Sequence, residues 1–272
     1  MLGRATLPTA EANAGRAAAT RAAAAAPEAA PEPADSPGAH GASVRPPHGA
    51  GEARAPSARA AGGPGGDDPA VACVAALAQQ GARARPAPLR PQSRVHPDGG
   101  EWSCGAADAV RLDRGPTGVR WGGARVSCEL ALALAQAEPI LQATVAEALE
   151  RPRLGAAPVV RVEQLGTYAC RAIRGIPGMA SEHAGANAID LTRLVLRDGS
   201  ALDVARDWGD PQRAAPDGAR GRRARALRRL AHALFSTGAM QVVLGPAWDR
   251  AHHDHLHLDR AAYRVDGTGG GR

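Results

Sequence analysis

Residues 251–260 read "AHHDHLHLDR", with four histidines and two aspartates in ten positions. In an extended strand successive side chains point to opposite faces, so Leu256 and Leu258 share one side while His255 and His257 share the other. One apolar face and one imidazole face describe a strand that lies on a core and carries histidines on its outer side. That pattern favours a metal or catalytic edge over a solvated histidine loop. Two histidines are too few for a tetrahedral zinc site, so further ligands have to come from elsewhere in the chain.

The best source is "SEHAGANAID", residues 181–190. On a helix the spacing of His183 and Asp190 would put them on nearly one face, but Gly185, Asn187 and the β-branched Ile189 argue for a loop entering a strand. The small residues from Ala184 to Ala188 let such a turn fold closely round an ion. Two neutral imidazoles and one carboxylate, with a fourth position open, form the ligand set of a catalytic zinc site.

Elements of both kinds surround these stretches. "AVACVAALAQQGA" has helical spacing and ends at Gly81, and "CELALALAQAEPILQATVAEALE" reads as one helix or as two joined near Pro139. "PVVRVEQLGTYACR" is a strand passing into a loop, and "IDLTRLVLRDGSALDV" is a strand pair turning at Asp198-Gly199. "RRARALRRLAHALF" sets Leu227, Leu230 and Leu234 on one helical face with arginines opposite. "MQVVLGP" and "DHLHLDR" supply two further short strands. Helices and strands mix without regular alternation, which predicts an α+β fold.

The first 68 residues differ in kind. They hold Ala, Pro, Gly, Arg and Glu with almost no large apolar side chain, and such a segment cannot bury enough surface to offset its ordering entropy. The expected organisation is therefore a disordered tail or linker over 1–68, a folded domain over 69–265 and a flexible tail over 266–272. The first segment carries six arginines against seven carboxylates, net −1, so with +6 for the whole chain the remainder carries about +7. All 33 basic residues are arginine and only seven residues are aromatic, a bias of composition that argues little for nucleic-acid binding. The opening thirty residues show no uninterrupted apolar run of signal-peptide type, and no stretch predicts a transmembrane span.

Cys73, Cys104, Cys128 and Cys170 are even in number, far apart and free of any CxxC pair. They read as two disulfides in an exported protein, the alternative being four buried thiols in a cytosolic one.

"GTYACR", "SEHAGANAID", "DGSALDV", "VLGP" and "HHDHLHLD", in this order and approximate spacing, resemble the extensin-like C-terminal domain family of bacteria. That family is similar to the zinc peptidases that include D-Ala-D-Ala carboxypeptidases, lysostaphin-type enzymes and the Hedgehog amino-terminal domain. The resemblance implies a Hedgehog/DD-peptidase-like fold, with a small antiparallel sheet carrying the metal site and helices flanking it. It makes His183, Asp190 and His257 zinc ligands, with His255 beside them as the catalytic acid or base. Arg171 becomes the partner of a substrate carboxylate, Ser181 a hydrogen-bonding neighbour and Glu182 a surface carboxylate. Members commonly carry a further cysteine pair toward the C-terminus, which this chain lacks. Taken in order, the four present would pair as Cys73–Cys104 and Cys128–Cys170, one of three possible connectivities.

The function so implied is zinc-dependent peptidase or amidase action on cell-wall peptides or peptidoglycan, in the periplasm or outside the cell. A net positive domain suits an anionic polymer. The alternative is a domain that binds zinc and a wall polymer or partner without turnover. His252 and Asp254 also make the HxD pair of a non-haem iron site, but its remaining histidine should follow downstream and none comes after His257. A nuclease lacks any platform of aromatics interleaved with basic residues. Limited proteolysis of the full chain should leave one resistant fragment from about residue 69 onward and digest the first 60 residues; a protected fragment from those first residues would contradict the boundary.

Overall fold

The fold was taken from a computed structural model, which describes residues 68–95, 100–150, 158–173, 176, 178–210 and 221–269. The expected N-terminal tail, apart from Asp68, lies outside the described residues. Helix α1 (Pro69–Gln79) opens with Asp68 as its cap, the carboxylate accepting from the Ala70 amide at 2.9 Å. Proline at the first helical position loses no bond, because that amide has no partner inside the helix.

Five short strands follow: β1 (Arg83–Pro86), β2 (Leu89–Val95), β3 (Glu101–Ala106), β4 (Val110–Arg114) and β5 (Arg120–Val126). Then come α2 (Cys128–Ala148), β6 (Val159–Gln164), β7 (Ala188–Leu196), β8 (Ala201–Asp203), the short α3 (Val204–Asp207) and α4 (Arg222–Ser236). Strands β9 (Val242–Leu244), β10 (Leu256–Asp259) and β11 (Val265–Gly267) complete the order.

Nine strands form one sheet in the order β1-β4-β5-β6-β7-β10-β9-β11, with β8 also on β7, and β2 and β3 pair separately. The mixed α+β class stands, but the sheet is neither small nor wholly antiparallel, since β5–β6 and β9–β11 run parallel. Residues 83–126 were the hidden part. Their inward positions, Val110, Leu112, Trp121, Ala124 and Val126, are interrupted by Gly122 and Gly123 in left-handed conformations, which breaks the period-two signal. The sheet also reaches past Val265, for β11 pairs with β9, and Thr268 is buried.

Helices α2 and α4 pack on each other and on one face of the sheet. Leu130, Leu134, Leu141 and Val145 of α2 and Leu227, Leu230 and Leu234 of α4 meet Leu112, Val162, Ile189, Leu194 and Leu258 from the strands. Each such leucine is worth about 1.5–3 kcal/mol on burial. Helix α2 runs unbroken through Pro139, which points to solvent. Packing on both sides of it offsets a proline cost of about 3 kcal/mol.

Two charged groups are buried in this layer. Glu138 of α2 accepts from the Thr117 amide (2.7 Å) and hydroxyl (2.6 Å), the Val119 amide (3.2 Å) and the Trp121 indole (2.9 Å). A Cβ at Gly115 would lie 1.7 Å from its carboxylate, so that turn needs glycine. Arg228 is 1% exposed, contrary to the arginine-outward face expected for α4. Its guanidinium donates to the carbonyls of Trp208 and Asp210 and lies 5.3 Å from the Trp208 ring, which makes burial affordable.

The cysteines join as Cys73–Cys128 and Cys104–Cys170, not in sequence order. The folded chain decides this, because α1 packs on α2 while β3 lies over the turn that follows β6. No helix among the described residues is long and apolar enough to cross a membrane. Peptide mapping without reduction should recover cross-linked peptides carrying these two pairs. Replacing both Cys73 and Cys128 by serine should cost about 2–4 kcal/mol of unfolding free energy, measured by denaturant titration.

Candidate metal centre

The site is built on the β7–β10 ladder. Asp190 stands directly opposite His257, and Ile189 and Leu191 on one strand, with Leu256 and Leu258 on the other, turn inward and are fully buried. Alternation therefore sends the carboxylate and the imidazole together to the opposite face of the sheet. A one-residue slip of β10 would send His257 into the core.

His183 comes from the turn Glu182–Gly185 that precedes β7, a single 3-10 turn capped by Ser181. The loop-into-strand reading of that stretch is what the structure shows. Ala186 then adopts a left-handed conformation, φ 53°, and reverses the chain into β7. Asn187 clasps the turn. Its amide donates to Glu182 (2.8 Å) and to the Arg260 carbonyl (3.2 Å), and its oxygen accepts from Ser127, the cap of α2 (2.9 Å). This clasp was not foreseen, because its partners lie far apart in the chain.

His183, Asp190 and His257 come together. His183 Nε2 lies 3.2 Å from Asp190 Oδ1, His257 Nδ1 lies 3.0 Å from the same oxygen, and the two ring nitrogens are 3.2 Å apart. Ligands held about 2.0–2.1 Å from a tetrahedral zinc stand about 3.3–3.4 Å from one another. The three atoms thus already lie close to one triangular face of such a polyhedron. The set fits a divalent metal ion.

Behind the ligands, Asp259 is buried and accepts from His257 Nε2 at 2.9 Å, while its other oxygen accepts from the Ala261 amide at 2.9 Å. That contact fixes the ring and leaves Nδ1 to face the site. Burial alone would push the His257 imidazole down, but the hydrogen bonds to Asp190 and Asp259 and their charges raise it to about 9. Burial would likewise raise Asp190, yet the hydrogen bonds and charges of His183 and His257 hold it well below the usual carboxylate range.

His255, just before β10, lies on the same side. Its Nε2 is 3.6 Å from Asp190 Oδ1, and its Nδ1 is 2.8 Å from Asp254. Arg171 is exposed, and its guanidinium has no hydrogen-bond or ion-pair partner among the described residues. Its backbone carbonyl, however, accepts from the Ser181 amide at 3.1 Å, and the Cys104–Cys170 disulfide pins the residue before it. Glu182 is part of the turn rather than a free surface carboxylate; burial raises its pKa, against the Asn187 hydrogen bond.

One residue that sequence reasoning set aside belongs beside the site. His252 sits on the turn Arg250–His252, with its ring centroid 5.3 Å from that of His255 and 5.8 Å from that of His257. Asp249 holds its Nδ1 at 2.7 Å, and burial pushes its pKa down. The run of histidines hinted at it, but only the turn brings its ring round to the strand. His253, by contrast, is exposed.

The chain matches the family described as Extensin-like protein C-terminus over residues 71–268, and it belongs to that family. No curated protein and no solved structure matches it. Replacing Asp259 by asparagine should leave the fold intact and weaken divalent-metal affinity about 10–100-fold, measured by competition with a chelator. Unchanged affinity would remove Asp259 from the support of the site.

Proposed function

We propose that this domain is a zinc-dependent peptidase or amidase that acts on bacterial cell-wall peptides. One observation carries the reading: His255 stands beside the His183, Asp190 and His257 cluster, with one ring nitrogen held by Asp254 and the other turned toward Asp190. Structural zinc sites use four protein ligands, whereas three and an open position belong to sites that do chemistry. Zinc bound there would polarise a carbonyl and lower the pKa of a coordinated water.

The chain's own residues supply the rest. Asp254 lies 2.8 Å from His255 Nδ1, and a proton held between them would leave Nε2 as the nitrogen that faces the cluster. His255 is then placed to take a proton from the attacking nucleophile and to return it to the leaving amine. Arg171, on a segment tied to the His183 turn, offers a guanidinium fork to a substrate carboxylate. The order of His183, Asp190 and the closing HxH supports kinship with the D-Ala-D-Ala carboxypeptidase, lysostaphin-type and Hedgehog group. Two disulfides fit an oxidising compartment, the periplasm or the cell exterior.

Elemental analysis of the full chain should find about one zinc, lost in His183→Ala and His257→Ala because two protein ligands hold the ion poorly. His255→Ala should keep the zinc and lose turnover of peptidoglycan fragments by about 10²–10⁴-fold. Equal zinc loss in His255→Ala would make that residue a ligand instead. A zinc-loaded wild type that cleaves no fragment would make the domain a binding module.

A further inference from the structure

The face of the sheet that carries Asp190 and His257 does not end at β7. Arg193 of β7 stands opposite Glu163 of β6, and an extra residue in β7 between Leu191 and Arg193 brings it to the face of Asp190 although the two are three residues apart. Beyond it, four arginines face one another in the ladders of four adjacent strands. Arg161 of β6 pairs with Arg120 of β5, Arg120 with Arg114 of β4, and Arg114 with Arg83 of β1. All four are exposed. Adjacent strands lie about 4.8 Å apart, so the row spans about 14 Å across the sheet.

Like charges directly opposite in a sheet are destabilising. Arg161 is relieved by Glu163, at 2.7 Å. Arg83, Arg114 and Arg120 have no carboxylate partner among the described residues; Arg114 donates only to the Gly118 carbonyl at 3.0 Å. The arginines of α4, on the other side of the sheet, are treated differently. Arg222, Arg223 and Arg229 are met by Glu150, Asp207 and Glu147. A general excess of arginine accounts for the number of guanidinium groups but not for an unneutralised row in register.

We infer that the row Arg83, Arg114, Arg120 and Arg161 is a binding track for the carboxylate-bearing peptide strands of peptidoglycan, holding the polymer on the face that carries the metal centre. The choice of occupant rests on the proposed function; the anionic chemistry rests on the row itself. Guanidinium forks match carboxylates in pairs, and an anionic strand laid across four β-strands relieves the repulsion that the fold leaves in place. Because the row and the Asp190–His257 pair share one face, a bound polymer lies on the side where cleavage would occur.

The test is co-sedimentation of the full chain with purified peptidoglycan freed of attached polymers and proteins. Wild type should bind, and binding should fall as salt is raised. The triple variant Arg83→Gln, Arg114→Gln and Arg120→Gln should bind about tenfold more weakly, with unchanged metal content and unfolding temperature. Converting the carboxylates of the wall to amides should weaken wild-type binding to the same degree. Equal binding by variant and wild type, or indifference to amidation, would overturn the track. Loss in the triple variant of duplex DNA binding alone, with wall binding unchanged, would assign the row to nucleic acid and also overturn it. Binding measured in His257→Ala needs no turnover. Row-dependent binding without hydrolysis by the wild type would leave the track standing and bring down the peptidase reading, whereas hydrolysis without row-dependent binding would do the reverse.

Discussion

The register of β7 against β10 is the constraint on which the site depends. Asp190 and His257 meet because Ile189, Leu191, Leu256 and Leu258 occupy the core on the other face. Side-chain direction in a strand has a period of two, so a one-residue slip of either strand would expose its apolar residues and turn its polar ones inward. The hydrophobic effect thus fixes a polar geometry. The His183, Asp190 and His257 cluster is set by apolar side chains on the opposite face.

The third ligand needs separate support, since His183 lies on a turn and a turn has no ladder to set its position. Four ties replace it. Ser181 caps the turn, Asn187 clasps it to Ser127 and the Arg260 carbonyl, the Ala169 amide donates to the His183 carbonyl at 3.1 Å, and the Cys104–Cys170 disulfide anchors the incoming chain. Ligands held to within a few tenths of an ångström require this kind of surrounding shell. The cost of a non-glycine residue in the left-handed region, at Ala186, is met by the same ties.

Charge is buried in this fold only where it is saturated. Glu138 has four donors, Arg228 has two carbonyls and an indole face, and His257 lies between two carboxylates. Each of these would be costly to bury alone. The outer face of β1, β4 and β5 is the exception, since Arg83, Arg114 and Arg120 stand in register without carboxylate partners among the described residues and are left to the solvent or to a ligand.

The sequence by itself determined what depends on local period and on residue chemistry. The alternation in 254–260, the Asp198-Gly199 turn, the amphipathic face of Leu227, Leu230 and Leu234, and the donor types of His183, Asp190 and His257 are all legible in short windows, because strand and helix periods act over neighbouring residues. Tertiary structure alone decided the rest. The pairing Cys73–Cys128 and Cys104–Cys170 follows from which elements pack, not from their order. The strands between 83 and 126 are paired by partners that short, glycine-broken windows do not reveal. Arg228 is buried although its helix wheel points it outward, because Trp208 and Asp210 come from another element to receive it. His252 joins the site for a similar reason, since a turn carries its ring to within reach of His255 and His257, whereas Asp259 shares the face of His257 through the period-two alternation of β10.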